Sequence, residues 1–122
     1  MFLNKKQNLY LIKNIRKIMK KFAFKMKLKP GCKEEYRRRH NEIWADLKEL
    51  LSKSGLQDYS IFLDEETNTL FAVQYQDGDA SSQDLGSNPI VQKWWKYMAD
   101  IMETNPDSSP VSIPLEIVFH MD

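Results

Sequence analysis

Residues 34–51, EEYRRRHNEIWADLKELL, carry the pattern that most restricts what this chain can fold into. At helical spacing, steps of three, four and seven gather Tyr36, His40, Ile43, Trp44, Leu47, Leu50 and Leu51 on one side. Glu34, Glu35, Arg37, Arg38, Arg39, Glu42, Asp46, Lys48 and Glu49 take the other. The spacing predicts one amphipathic helix lying on an apolar surface that the rest of the chain must supply. Its apolar stripe is led by a phenol and an imidazole one turn apart, where packing alone would favour Leu or Val. Two polar groups turned inward must be paired or put to use, because an unsatisfied buried polar group costs about 1–3 kcal/mol.

The surface for that helix is read from its neighbours. Phe22, Phe24, Met26 and Leu28 alternate with Ala23, Lys25 and Lys27, the period of a strand with one wet face, and Pro30-Gly31 ends it. The helix is expected to stop at Ser54-Gly55. Tyr59–Leu63 and Thr69–Tyr75 read as a hairpin around the polar turn 64–68. Residues 76–87 read as a loop. Asn88-Pro89 then caps a second helix whose apolar side holds Ile90, Val91, Trp94, Trp95, Met98, Ile101 and Met102. Asn105-Pro106 stops it, residues 105–114 are irregular, and Leu115–Met121 reads as a last strand. The order strand, helix, strand, strand, helix, strand is that of ferredoxin-like α+β folds, with both helices on one face of an antiparallel sheet. The other sheet face is uncovered, so two copies packed sheet to sheet are expected, a homodimer.

Composition narrows the function classes. The 122 residues are 42% hydrophobic and 29% charged, a single globular domain, and a net charge of +1 does not suit a dedicated nucleic-acid binder. One cysteine, Cys32, excludes an internal disulfide and fits a reducing cytoplasm; no apolar run is long enough to cross a bilayer. Residues 1–20 carry many Lys and no acid. LYLI is too short for a signal peptide core. MKKFAFKMKLKPG, from Met19, reads as a natural start, so residues 1–20 are expected to be a basic extension outside the fold and 21–122 the domain. A basic arm touching a membrane or nucleic acid is the weaker reading.

His40 is the leading candidate for chemistry. An imidazole exchanges protons near neutral pH, and Tyr36 at i−4 supplies a second group that can position or relay a proton. His120 has only structural context. Two distant His and one Cys give no metal-ligand spacing, so no metal is expected. Trp94 and Trp95 point about 100° apart on a helix, so one can pack while the other lines a pocket, offering a face to the C–H groups of a sugar. A broad core helix explains the pair equally well from pattern alone. Tyr59 opens a strand and could point inward. Arg37–Arg39 are flanked by Glu34, Glu35 and Glu42, and read as a salt-bridged wet face rather than a phosphate site.

The stretches EEYRRRHNEIW at 34–44, DYSIFLD at 58–64, NTLFA at 68–72, QKWWKYMADIM at 92–102, NPDSSPVS at 105–112 and the ending EIVFHMD together resemble the L-rhamnose mutarotase family over residues 21–122. The resemblance implies a ferredoxin-like βαββαβ domain in a dimeric α/β barrel, with a pocket between sheet and helices. It implies that His40 is the proton donor and that Tyr36, Tyr59, Trp94 and Trp95 bind the sugar. It implies interconversion of the α and β anomers of L-rhamnose by acid–base ring opening, without cofactor, nucleic acid or membrane. The Gly- and Ser-rich segment 76–86 departs from the family pattern, which leaves the loop shape and sugar preference open. Two rivals share the topology: a monooxygenase or haem-degrading barrel enzyme, and a sugar-binding module in which His40 only hydrogen-bonds.

Overall fold

The three long strands of the sheet form where side chains alternate between an inner and an outer face. The computed structural model describes residues 3–78 and 81–122, and the side chains of 13–18 lie outside that description. Helix α1 (Lys5–Ile18) precedes β1 (Lys20–Lys27), α2 (Lys33–Asn41), α3 (Ala45–Lys53), β2 (Leu56–Asp64), β3 (Thr69–Gln76), a short 3-10 turn at Ser82–Asp84, α4 (Pro89–Met98) and β4 (Ile113–Leu115). The four strands are antiparallel in the order β2-β3-β1-β4, the ferredoxin-like arrangement expected from the sequence.

Register decides what each face carries. Met26, Leu70 and Leu63 lie in one row across the sheet, and Phe24, Ala72 and Ile61 in the next. These rows meet Tyr36, Leu47, Val91, Trp94 and Met98 from the helices and form the core. The opposite face carries the row Phe62, Phe71, Lys25 and Ile113, of which Phe62 and Ile113 are exposed.

The long amphipathic helix is a correction. Residues 34–51 form two helices, not one, because the chain breaks at Glu42–Trp44. Trp44 is extended (φ −59°, ψ 134°), which swings its indole onto Trp94 and Tyr97 of α4, with ring centroids 5.1 and 5.6 Å apart. Tertiary aromatic packing overrides a continuous helical period here. α3 ends at Ser54, and Gly55 takes the left-handed conformation (φ +87°) that a side chain resists.

The last strand is a second correction. Only Ile113–Leu115 pair with β1, and the expected strand Leu115–Met121 does not form. Ile113 faces Lys25 and Leu115 faces Ala23, so continuing this register sets Ile117 opposite Lys21 and runs the tail past the first residue of β1. Ile117, Val118, Phe119 and Met121 are exposed, Val118 by 91%. At the other end, α1 leaves Leu9, Tyr10, Leu11 and Ile12 exposed. Asp79 and Ala80 of the expected 76–87 loop lie outside the described residues.

Candidate active site

A cavity of about 930 Å³ opens between the helices and the inner sheet face. Tyr36, His40, Tyr59, Trp94 and Trp95 all line it, so one space joins the five residues singled out in the sequence. Its size falls in the range of small-molecule sites.

α2 supplies the imidazole and one phenol. Four residues apart on a helix, Tyr36 and His40 stack, with ring centroids 4.2 Å apart and planes at 28°. Trp94 meets His40 edge-on at 5.5 Å. His40 Nδ1 lies 3.0 Å from the Tyr36 carbonyl oxygen. A carbonyl only accepts, so this bond places the hydrogen on Nδ1 and leaves Nε2 of the neutral ring with a bare lone pair. Burial pushes the His40 pKa below its ordinary 6.5, against the opposing pull of the Tyr36 carbonyl. The resting imidazole at neutral pH is therefore uncharged and accepts a proton before it can give one.

Tyr59 reaches the cavity through a bulge. The β2–β3 register shifts between Gln57 and Ser60, and Asp58 takes a positive φ of 48°. Before the shift Leu56 is the inward residue; after it Tyr59, Ile61 and Leu63 face in. Burial raises the Tyr59 pKa above its usual value, with a hydrogen bond from Ser82 acting against that rise. Tyr36 is raised further, first by burial and then by the nearness of Tyr59. Both phenols are thus held protonated.

α4 begins as the sequence predicts. The Asn88 side chain accepts from the Ile90 N–H at 2.9 Å, and Pro89 is the first helical residue. Trp94 is buried among aromatic rings while Trp95 is half-buried, and both reach the cavity. Gly86 lets Trp95 sit where it does: a Cβ there would lie 2.7 Å from the indole Cη2.

Three features escaped the sequence reading. Arg37 pairs with Glu34, and Arg38 with Glu35 and Glu42, as the wet-face reading expects. Arg39 departs from it. Its guanidinium is buried, donates to Asp100 Oδ1 and Oδ2 at 2.8 and 3.1 Å and to the Tyr97 carbonyl at 2.8 Å, and lies over the Tyr97 ring. This ties α2 to the end of α4 beside His40, through partners about sixty residues away that no local pattern reveals. Gln74 and Ser82 are also buried, and Ser82 lines the cavity. Gln74 was legible in principle, since the inward alternation of β3 runs Leu70, Ala72, Gln74, Gln76. Residues Thr104, Ser108 and Pro110 of the proline-rich segment close another part of the wall.

Among the described residues, no group of three His, Cys, Asp or Glu is placed to hold a metal ion, and no helix is long and apolar enough to cross a membrane.

The family described as L-rhamnose mutarotase matches residues 21–121. An L-rhamnose mutarotase of Bacteroides thetaiotaomicron is 66% identical over 104 residues, which cover 85% of this chain and all of that protein. One of Phocaeicola vulgatus is 64% identical over the same length and coverage. The crystal structure of an L-rhamnose mutarotase from Formosa agariphila superposes with a TM-score of 0.78 at 57% identity, covering 84% of this chain and 99% of that one.

Proposed function

This chain belongs to the L-rhamnose mutarotase family, and from that premise we propose that its cavity takes L-rhamnopyranose and interconverts the α and β anomers. The observation that carries the reading is His40: a neutral imidazole with its Nδ1 hydrogen committed to the Tyr36 carbonyl and its Nε2 lone pair uncommitted, in the wall of a cavity with ample room for a monosaccharide. Mutarotation needs such a group. Opening the ring removes a proton from the anomeric hydroxyl and delivers one to the ring oxygen. The aldehyde turns about C1–C2, and closure on the other carbonyl face reverses both transfers. His40 accepts in the opening half and donates in the closing half, so its part as proton donor belongs to closure. Acid–base catalysis of this kind contributes roughly 10²–10⁴-fold. The indoles of Trp94 and Trp95 offer apolar walls to the C–H face and methyl group of a 6-deoxy sugar, and Tyr36 and Tyr59 offer hydroxyls to its oxygens. No cofactor takes part in this chemistry.

The partner read from the sheet is a second copy. Phe62 is 62% and Ile113 52% exposed in the row that also holds Phe71 and Lys25, and Ile117, Val118, Phe119 and Met121 of the tail are exposed as well. Exposed apolar side chains of this kind suit sheet-to-sheet packing. The basic segment 1–20 is an extension ahead of the catalytic domain up to its last residue, Lys20, which opens β1, and the setting of the enzyme is the cytoplasm.

The test is exchange NMR on L-rhamnose, with L-fucose and D-galactose for comparison. Faster transfer between the anomeric signals of rhamnose is expected; binding without faster exchange would refute the enzyme in favour of a sugar-binding module. Sedimentation at micromolar concentration should give twice the chain mass, and a monomer would refute the dimer.

A further inference from the structure

The helix that carries His40 has almost nothing apolar to hold it down. The nine residues of α2, KEEYRRRHN, include no aliphatic side chain. A helix this short is marginal alone and needs tertiary contacts to form. Only two of its side chains are buried, Tyr36 and Arg39. Tyr36 packs into the core and the cavity wall. Arg39 makes the other attachment, and its bonds run to one place. Its Nη1 donates to the Tyr97 carbonyl and to Asp100 Oδ1, each at 2.8 Å, and its Nη2 donates to Asp100 Oδ2 at 3.1 Å. The guanidinium carbon stands 4.6 Å from the centre of the Tyr97 ring.

These contacts close a circuit that returns to the imidazole. Tyr97 meets Trp94 with ring centroids 5.6 Å apart, and Trp94 meets His40 edge-on at 5.5 Å. Arg39 and His40 are neighbours on α2, about 100° apart around its axis. A turn or slide of the helix that moves one moves the other. Apolar packing has no direction and tolerates such a slide. A planar fork bonded to a carboxylate and a carbonyl does not, because its bonds hold only at set angles. As plain stabilisation the arrangement is inefficient. Arg39 Nε, 3.5 Å from Glu35 Oε2, is buried without a hydrogen-bond partner among the described residues, a cost that an aliphatic side chain would avoid.

We propose that Arg39 is a positioning residue: through Tyr97 and Asp100 it locks the rotation and height of α2 against α4, and so sets where the free nitrogen of His40 stands in the cavity wall. Arg39 is not itself part of that wall, so it acts through His40 and not on the sugar. Its effect on rate rests on the mutarotase reading, whereas the lock is a property of the sugar-free protein.

Arg39→Lys tests the lock. It keeps the charge and a long stem but loses the fork, which separates aim from electrostatics. In this variant kcat for anomer exchange should fall by about 10- to 10²-fold, the scale of a small misplacement of a reacting group. KM for L-rhamnose should stay nearly constant, because Trp94 and Trp95 sit on α4, which keeps its own place in the core. Asp100→Ala, at an exposed side chain, should lower kcat in the same way and serves as the test should Arg39→Lys not fold. A role confined to stability predicts a lower melting midpoint with the wild-type kcat per folded molecule, and that result in both variants would overturn the proposal. The second readout needs no turnover. In the sugar-free protein, nuclear Overhauser contacts between the His40 and Trp94 rings should weaken in Arg39→Lys, while those between His40 and Tyr36, both on α2, persist. Unchanged His40–Trp94 contacts would overturn the lock whatever the rate. A wild-type protein that exchanges no rhamnose anomers would refute the mutarotase reading, and these ring contacts would still decide whether Arg39 aims the imidazole.

Discussion

Replacing His40 with Ala should separate packing from chemistry. The imidazole makes two ring contacts, stacked on Tyr36 at 4.2 Å and edge-on to Trp94 at 5.5 Å. At about 0.5–1.5 kcal/mol for each aromatic contact, their loss destabilises the fold by about 1–3 kcal/mol. For a domain of this size that lowers the melting midpoint by roughly 3–5 °C per kcal/mol. The rate should fall by much more than this packing loss suggests. Removing a proton acceptor costs about 10²–10⁴-fold, equivalent to roughly 3–5 kcal/mol of barrier. Saturation transfer between the anomeric protons of L-rhamnose, with the spontaneous exchange subtracted, measures it on protein shown by calorimetry to be folded. The vacated space opens on the cavity, so added imidazole should restore part of the rate in proportion to its neutral fraction. A folded His40→Ala protein that exchanges anomers at the wild-type rate refutes the assignment of His40, and imidazole-insensitive loss refutes the proton-acceptor argument.

Other consequences are checked more briefly. The His40 pKa is lower in the fold than the 6.5 of the open chain, so between those two values the unfolded state binds more proton, and stability should decline as pH falls through that window and level off below it; chemical denaturation from pH 7.5 to 4.5 should show this component, and His40→Phe should abolish it. Gly86→Ala puts a methyl 2.7 Å from Trp95, so the indole must shift, and KM for the sugar should rise several-fold with a smaller change in kcat. Arg39→Met keeps an apolar stem but removes the bonds to Asp100 and the Tyr97 carbonyl; because the Asp100 side chain is 65% exposed, the loss should be about 1–3 kcal/mol by urea titration. Deleting residues 1–18 should leave anomer exchange unchanged, while Phe62→Lys on the open sheet face should convert a sedimenting dimer to monomer.

How much of this was legible in the sequence follows from the range of each interaction. Alternation in β1 and β3 and the Asn88-Pro89 helix start are local, and they appear in the structure at nearly the expected residues. The break at Glu42–Trp44 was not legible. Nothing in NEIWAD demands it, and it exists because Trp44 docks on Trp94 and Tyr97, about fifty residues away. The same holds for Arg39, whose charged neighbours suggested water while its partner Asp100 waited just past α4. The tail 115–121 alternates like a strand, but a strand needs a neighbour: pairing with β1 stops at Leu115, and past Val118 the register has no β1 residue to meet.

The candidate site divides along the same line, and its chemistry explains why. Tyr36 and His40 meet because four residues make a helical turn, so their pairing can be read from spacing alone. Tyr59 shares a face with Ile61 and Leu63 by the period-two alternation of YSIFL, but that this face is the inner one is set by pairing with β3, and a bulge between Gln57 and Ser60 brings Leu56 to the same side. Gln74 and Ser82, which meet across the fold, lie on the same inner side and were not legible as a pair. A reaction that moves one proton off a sugar and another onto it needs an acceptor and a donor on different sides of the ring. Two groups on one helical turn stack against each other and cannot enclose a substrate. The second group has to come from another element. For such a site one partner can be written within a single helix, whereas the group that faces it depends on how the sheet pairs.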